Sequence, residues 1–137
     1  MNSRDGSELV RLLLDTHTFL WWLAGDEALS RKSREGIETE AEAVFVSAAS
    51  VWEISTKHRL GKLPGASAIV GAMAETIESQ GFMGLAIGVR HGQAAGALPG
   101  PHRDPFDRML IAQAILDDLV LVSNERAFDA YGVRRLW

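Results

Sequence analysis

Three short stretches, LVRLLLD (9–15), VFVSA (44–48) and LVLVS (119–123), are apolar without polar alternation. A strand with one face in water alternates apolar and polar residues. A run that does not alternate needs cover on both faces, which a parallel sheet between helices provides. The intervening segments supply the helices. Phe19, Leu20, Leu23 and Ala24 share one helical face after the first run, and residues 30–42 form a charged, exposed helix. SVWEISTKHRLGKL returns to helical spacing, and 64–81 reads as a small-residue helix bounded by Pro64 and Gly81. FMGLAI is a further strand. Helices over 89–98 and 104–118, a short one in ERAFDAYG and a final strand VRRLW complete the pattern. The expectation is a three-layer α/β/α sandwich with a central parallel sheet.

Length and composition fit one such unit. The chain has 137 residues, 47% of them hydrophobic, enough for one core and too few residues for two. Residues 1–8 are polar and are expected to be a flexible tail, with the domain over 9–137. No cysteine is present, which removes disulfides, thiolate metal sites and thiol nucleophiles. No apolar run is long enough to span a membrane and the start lacks the order of a signal peptide, so a cytoplasmic location is expected. The net charge of −4 argues against a generic basic nucleic-acid coat, though not against an enzyme that acts on nucleic acid.

The acids fall in a pattern. In a parallel α/β sheet, sites form beyond the carboxyl ends of the strands, where loops lead into helix N-termini. Asp15 closes the first strand, Glu53 lies a turn into the helix after VFVSA, Asp104 and Asp107 open their helix, and Glu125 follows LVLVS. Each has a local explanation. Asp104 before Pro105 suits an N-cap, with Asp107 placed to bond back to it. Glu53 completes a capping box with Ser50, Asp15 can bond nearby amides, and Glu125 suits a helix dipole. Capping does not, however, require acids from four separated segments to converge. Convergent carboxylates repel unless a cation sits among them, and an all-oxygen set suits magnesium or manganese.

The stretches LLLDTHTFLWWL, VSAASVWEISTKHRLGKL, HRDPFDRMLIAQA and LVLVSNERAFDAYGVRRLW, in that order, resemble PIN-domain ribonucleases, specifically the VapC type of toxin from toxin–antitoxin pairs. The resemblance implies a magnesium-dependent endoribonuclease (manganese substituting) that hydrolyses RNA with a metal-activated water and leaves a 5′-phosphate. It implies Asp15, Glu53 and Asp107 as metal ligands, with Asp104 beside them. At the fourth acidic position the family usually has Asp; here it is Glu125, a methylene longer. Ser123 replaces the commoner Thr and keeps a hydroxyl for a metal or water contact. A homodimer neutralised by a small VapB-type antitoxin is also implied.

Other residues follow from position. Lys57, His58, Arg59 and Lys62 are either a solvated face or a phosphate track, and His102, Arg103 and Arg108 are expected to continue that track from the other side. His17 and His91 lack partners spaced for zinc. Trp52 and one of Trp21 and Trp22 are assigned to the core. The Phe19 to Trp22 stripe is expected to anchor the antitoxin, with Phe19 and Trp22 as contacts. Three rival readings exist. An aspartyl phosphohydrolase would want an acid where His17 stands. A phospho-receiver module would want an acidic pair at the first strand end. A PIN-fold scaffold without catalysis is opposed by the presence of Asp15, Glu53 and Asp107.

Overall fold

The computed structural model describes residues 10–137, so the expected tail over 1–8 lies outside the described residues. Five parallel strands form one sheet in the order β3-β2-β1-β4-β5. They are β1 (Val10–Leu14), β2 (Ala41–Ser47), β3 (Met83–Leu85), β4 (Val120–Val122) and β5 (Arg135–Leu136). Side chains of β1 alternate between two apolar layers. Leu12 and Leu14 join Phe19, Ile54 and Ile77 on one face, whereas Leu13 joins Leu110, Ile111 and Phe128 on the other. Both sheet faces are therefore covered, and the three-layer expectation holds. The absence of alternation in LLL has this cause.

Among the described residues six α-helices fill the layers: α1 (Thr16–Ala24), α2 (Arg31–Glu35), α3 (Ala48–Arg59), α4 (Met73–Ser79), α5 (Val89–Ala97) and α6 (Pro105–Leu116). The charged segment expected to be one helix over 30–42 is instead the short α2, a π turn over Gly36–Glu40 and the start of β2. Gly36 passes so close to Leu136 that an added Cβ would meet its side chain at 2.9 Å, so the bend packs beneath the last strand. The single helix expected over 64–81 is also absent. A 3-10 turn at Pro64–Ala66 and irregular turns precede α4, which has no side-chain cap. Gly65 and Gly71 weaken helix there, and packing of Met73 and Ile77 orders only the last two turns.

From β1 the chain passes to β2 and β3 on one side, and β4 and β5 lie on the other, so the strand order reverses between β1 and β4. Such a switch point opens a crevice beyond the carboxyl ends of the strands. Buried Gln113 of α6 holds the crevice walls in register. Ser47 Oγ, which caps α3, donates to Gln113 Oε1 at 2.6 Å, and Gln113 Nε2 donates to the Ala86 carbonyl at 3.2 Å. Helices α3 and α6 are thereby fixed relative to one another at the edge where Glu53 and Asp107 stand.

Candidate active site

Asp15, immediately after β1, is the N-cap of α1; its Oδ1 accepts from the Thr18 amide at 2.8 Å. Its second oxygen has no protein partner among the described residues. Thr16 Oγ1 reaches across to α3, lying 3.0 Å from Ser50 Oγ and donating to Glu53 Oε1 at 2.6 Å. Glu53 is buried, with 4% of its surface exposed. Helix α3 starts at Ala48 with Ser47 as cap, so Ser50 already lies inside the helix and the expected SVWE capping box does not form. Glu53 thus has no capping role. Its second oxygen accepts from Lys57 Nζ, one turn on, at 2.6 Å.

Asp104 caps α6 as its sequence suggested, with Oδ1 accepting from the Phe106 and Asp107 amides at 2.9 and 3.1 Å. Asp107 does not bond back to the cap. Its Oδ2 pairs with His102 Nε2 at 2.9 Å. Burial pushes the Asp107 carboxyl up to about 6; the His102 hydrogen bond opposes the rise, and the charges of Asp104 and Glu53 add to it. The Lys57 ammonium is held above its usual value by its hydrogen bond to Glu53, against the cost of its burial, and by the charges of Glu53, Asp104 and Asp107. A lysine cation therefore sits among three carboxylates.

Asp15, Glu53, Asp104 and Asp107 line one cavity of about 100 Å³, together with Lys57 and Glu125; Thr16, His17, Asn124 and Phe128 complete its wall. Larger hollows lack this convergence: the groove of about 400 Å³ between α3, α4 and β3 is mostly apolar and has Glu78 as its one charged lining residue. Glu125 is exposed and does not cap the 3-10 turn Arg126–Tyr131 that follows it. Ser123, expected to offer a hydroxyl to the cavity, is fully buried, does not line it, and accepts from the Glu125 amide at 3.0 Å. Its hydroxyl shapes the turn that presents Glu125.

The expected phosphate track is only partly available. Arg59 and Arg103 are exposed, whereas Lys57 faces the cavity. Arg108 is occupied: its guanidinium donates to the carbonyls of Ala95 (3.1 Å), His102 (3.0 Å) and Leu98, strapping the end of α5 and the following loop onto α6. With its three guanidinium nitrogens already spent on backbone, it is a structural residue. His91 pairs with Asp117 at 3.0 Å, away from the cavity. The aromatic expectations also change. Phe19 is fully buried in the core and cannot anchor a partner, while Trp52, assigned to the core, is 64% exposed and meets Phe106 edge-on at 5.1 Å. Trp22 is half-buried against Phe82, with its indole N–H on Gln80. The first helix turns Phe19 inward because the sheet lies under that face, a fact of packing that periodicity alone does not orient.

Fold and site together define an α/β protein with an acidic cavity at the switch point of a parallel sheet. The chain belongs to the PIN domain family, whose pattern matches residues 12–133. It is 29% identical over 119 residues to ribonuclease VapC22 of Mycobacterium tuberculosis, covering 86% of this chain and 89% of that protein. Among solved structures, VapBC2 of Rickettsia felis, bound to a DNA fragment from its promoter, matches with a TM-score of 0.68 and 12% identity, covering 92% of this chain and 97% of that one. Mycobacterium tuberculosis VapC20, a toxin that cleaves the sarcin–ricin loop, matches at 0.66 and 15%, covering 89% and 95%. The resemblance to VapC-type PIN ribonucleases is thus borne out. The expected PIN-like α/β fold is observed directly.

Proposed function

We propose that this chain is a VapC-type toxin, a magnesium-dependent endoribonuclease whose ligands are Asp15, Glu53 and Asp107. The observation that carries this reading is the convergence of five acids from four separate segments on one small cavity, with the Lys57 ammonium among them. Buried like charges need a counter-ion, and here a side-chain cation fills that need. Among the described residues no group of three or more acids or histidines is already drawn together as a metal site, so the reading rests on the carboxylate lining of the cavity. The donor chemistry fits as well, since every candidate ligand is a carboxylate and no thiol is present.

Held by Asp15, Glu53 and Asp107, a divalent ion would supply charge to offset the phosphate and would lower the pKa of a bound water. The chain's own residues do the remaining work. Thr16 fixes the rotamer of Glu53, the Thr18 amide fixes Asp15, and the Phe106 and Asp107 amides at the start of α6 hold Asp104. Lys57, released from Glu53, is the cation nearest to a phosphate in the cavity. Glu125, exposed at the rim, is placed for a second and weaker ion or a bound water. Arg59 and Arg103, exposed at the surface, attract the RNA backbone from outside.

Structures of relatives with antitoxins support a VapB-type partner, here with a basic side chain entering the acidic cavity and Trp22 at the edge of its contact. A homodimer and a cytoplasmic site of action belong to the same reading; among the described residues no helix is long and apolar enough to cross a membrane. The test is induced expression in a bacterial host without an antitoxin. Growth arrest by the native chain, lost in a folded D15N variant, supports the reading. Equal arrest by both would remove the acid cluster from the mechanism.

A further inference from the structure

We propose that His102 is a positioning residue for Asp107: its imidazole holds one carboxylate oxygen so that the other stays presented to the acidic cavity. This rests on the ribonuclease reading above and adds to it a residue outside the acid set. His102 does not line the cavity; it stands behind Asp107, with Nε2 2.9 Å from Oδ2. With Asp107 ionised, Nε2 carries the proton and donates, leaving Oδ1 without a protein donor among the described residues.

The loop holding His102 is fixed from several sides. Its backbone N–H donates to the Tyr131 hydroxyl at 3.1 Å, and its carbonyl accepts from Arg108 at 3.0 Å. The ring lies edge-on to Phe128 at 5.6 Å and to Tyr131 at 6.3 Å. Tyr131 is seated in turn against Gly100, where φ is +94° and an added Cβ would approach the hydroxyl to 2.9 Å. A histidine serving only to solubilise a loop needs none of these contacts. Together they lock both ring plane and height, which is what a residue orienting a ligand requires. Arg108, adjacent to Asp107 in sequence, completes the arrangement by tying the His102 carbonyl to α6. The loop and its acid therefore move as one body.

Calorimetric titration of the purified chain with manganese chloride tests this, comparing native protein with H102F, H102Q and D15N. Phenylalanine keeps the ring packing on Phe128 and Tyr131 and removes the donor. Glutamine restores a donor at similar reach. The expected result is about ten-fold weaker manganese binding in H102F, substantially recovered in H102Q, the range typical of residues that orient ligands. Single-turnover cleavage should fall in H102F at unchanged substrate affinity and recover with glutamine. Native-like manganese affinity in H102F, or H102Q no better than H102F, overturns the proposal. If H102F does not fold, Y131F takes its place, since it loosens the loop without touching the imidazole. A two- to three-fold loss of affinity there supports positioning, and no loss overturns it. Absence of manganese binding by the native chain, or equal binding by D15N, would instead overturn the metal-site reading itself.

Discussion

Thr16 Oγ1 donates to Glu53 Oε1 across 2.6 Å, joining the residue after β1 to the buried acid of α3. Two elements that are 37 residues apart in sequence are thereby set to one geometry at the cavity wall. Replacing Thr16 with valine keeps its shape and leaves a buried carboxylate oxygen short of a donor. The expected cost is about 1–3 kcal/mol in urea unfolding, with cleavage reduced more than stability alone explains. Native stability in Thr16→Val would show the bond to be incidental.

Asp104 and Asp107 should separate by experiment. Asp104 holds two backbone amides, so Asp104→Ala should lose about 1 kcal/mol of stability, and Asp104→Asn, which can cap as well, should lose little. Asp107 caps nothing, so Asp107→Asn should abolish cleavage while the protein remains folded. Melting curves and single-turnover rates on the three variants check this. Equal loss of activity in Asp104→Asn and Asp107→Asn would make Asp104 a ligand too.

The Asp107 carboxyl has a direct consequence for stability against pH. Its folded value of about 6 lies above the ordinary value of 3.8, so between these the folded state holds a proton that the unfolded chain releases. Its contribution to stability is full below about pH 4 and is lost as pH rises through about 6. In metal-free protein, Asp107→Asn should therefore be more stable than the native chain near pH ~7.5, by on the order of 1 kcal/mol after solvent screening. The difference should shrink toward pH ~4. Denaturant midpoints in chelator across that range measure it; a difference that grows on acidification would contradict the assignment.

Lys57 occupies Glu53 Oε2 at 2.6 Å and so competes for the same oxygen as an incoming ion. Lys57→Met should bind manganese several-fold more tightly, show a larger metal-induced rise in melting temperature, and cleave RNA more slowly. Weaker manganese binding in Lys57→Met would mean that the lysine assists the ion rather than opposing it.

Much of the frame was legible because its causes are local. Runs such as LVLVS need cover on both faces, and Asp104–Pro105 carries its own cap signal. Asp15 at the end of an apolar run could be placed at the sheet edge by topology alone. The misreadings have tertiary causes. In VSAAS either serine can cap, and only the length of β2 selects Ser47, which leaves Glu53 inside the helix as a cavity acid. Arg108 looked like a free cation because the carbonyls that occupy it belong to α5 and the loop before α6. His102 reads as part of a phosphate track from charge alone, although its place five residues before Asp107 signals that the two can meet. Phe19 and Trp52 exchanged the roles of surface and core because helical spacing defines a face without saying where it points.

The most direct measurement is cleavage of RNA by the purified chain in magnesium and in excess chelator, beside folded Asp15→Asn, with the new ends mapped. The expected result is cleavage by the native chain in magnesium alone, with 5′-phosphate ends, and none by the variant or in chelator. Cleavage that persists in chelator, or in Asp15→Asn, would contradict a nuclease built on these carboxylates.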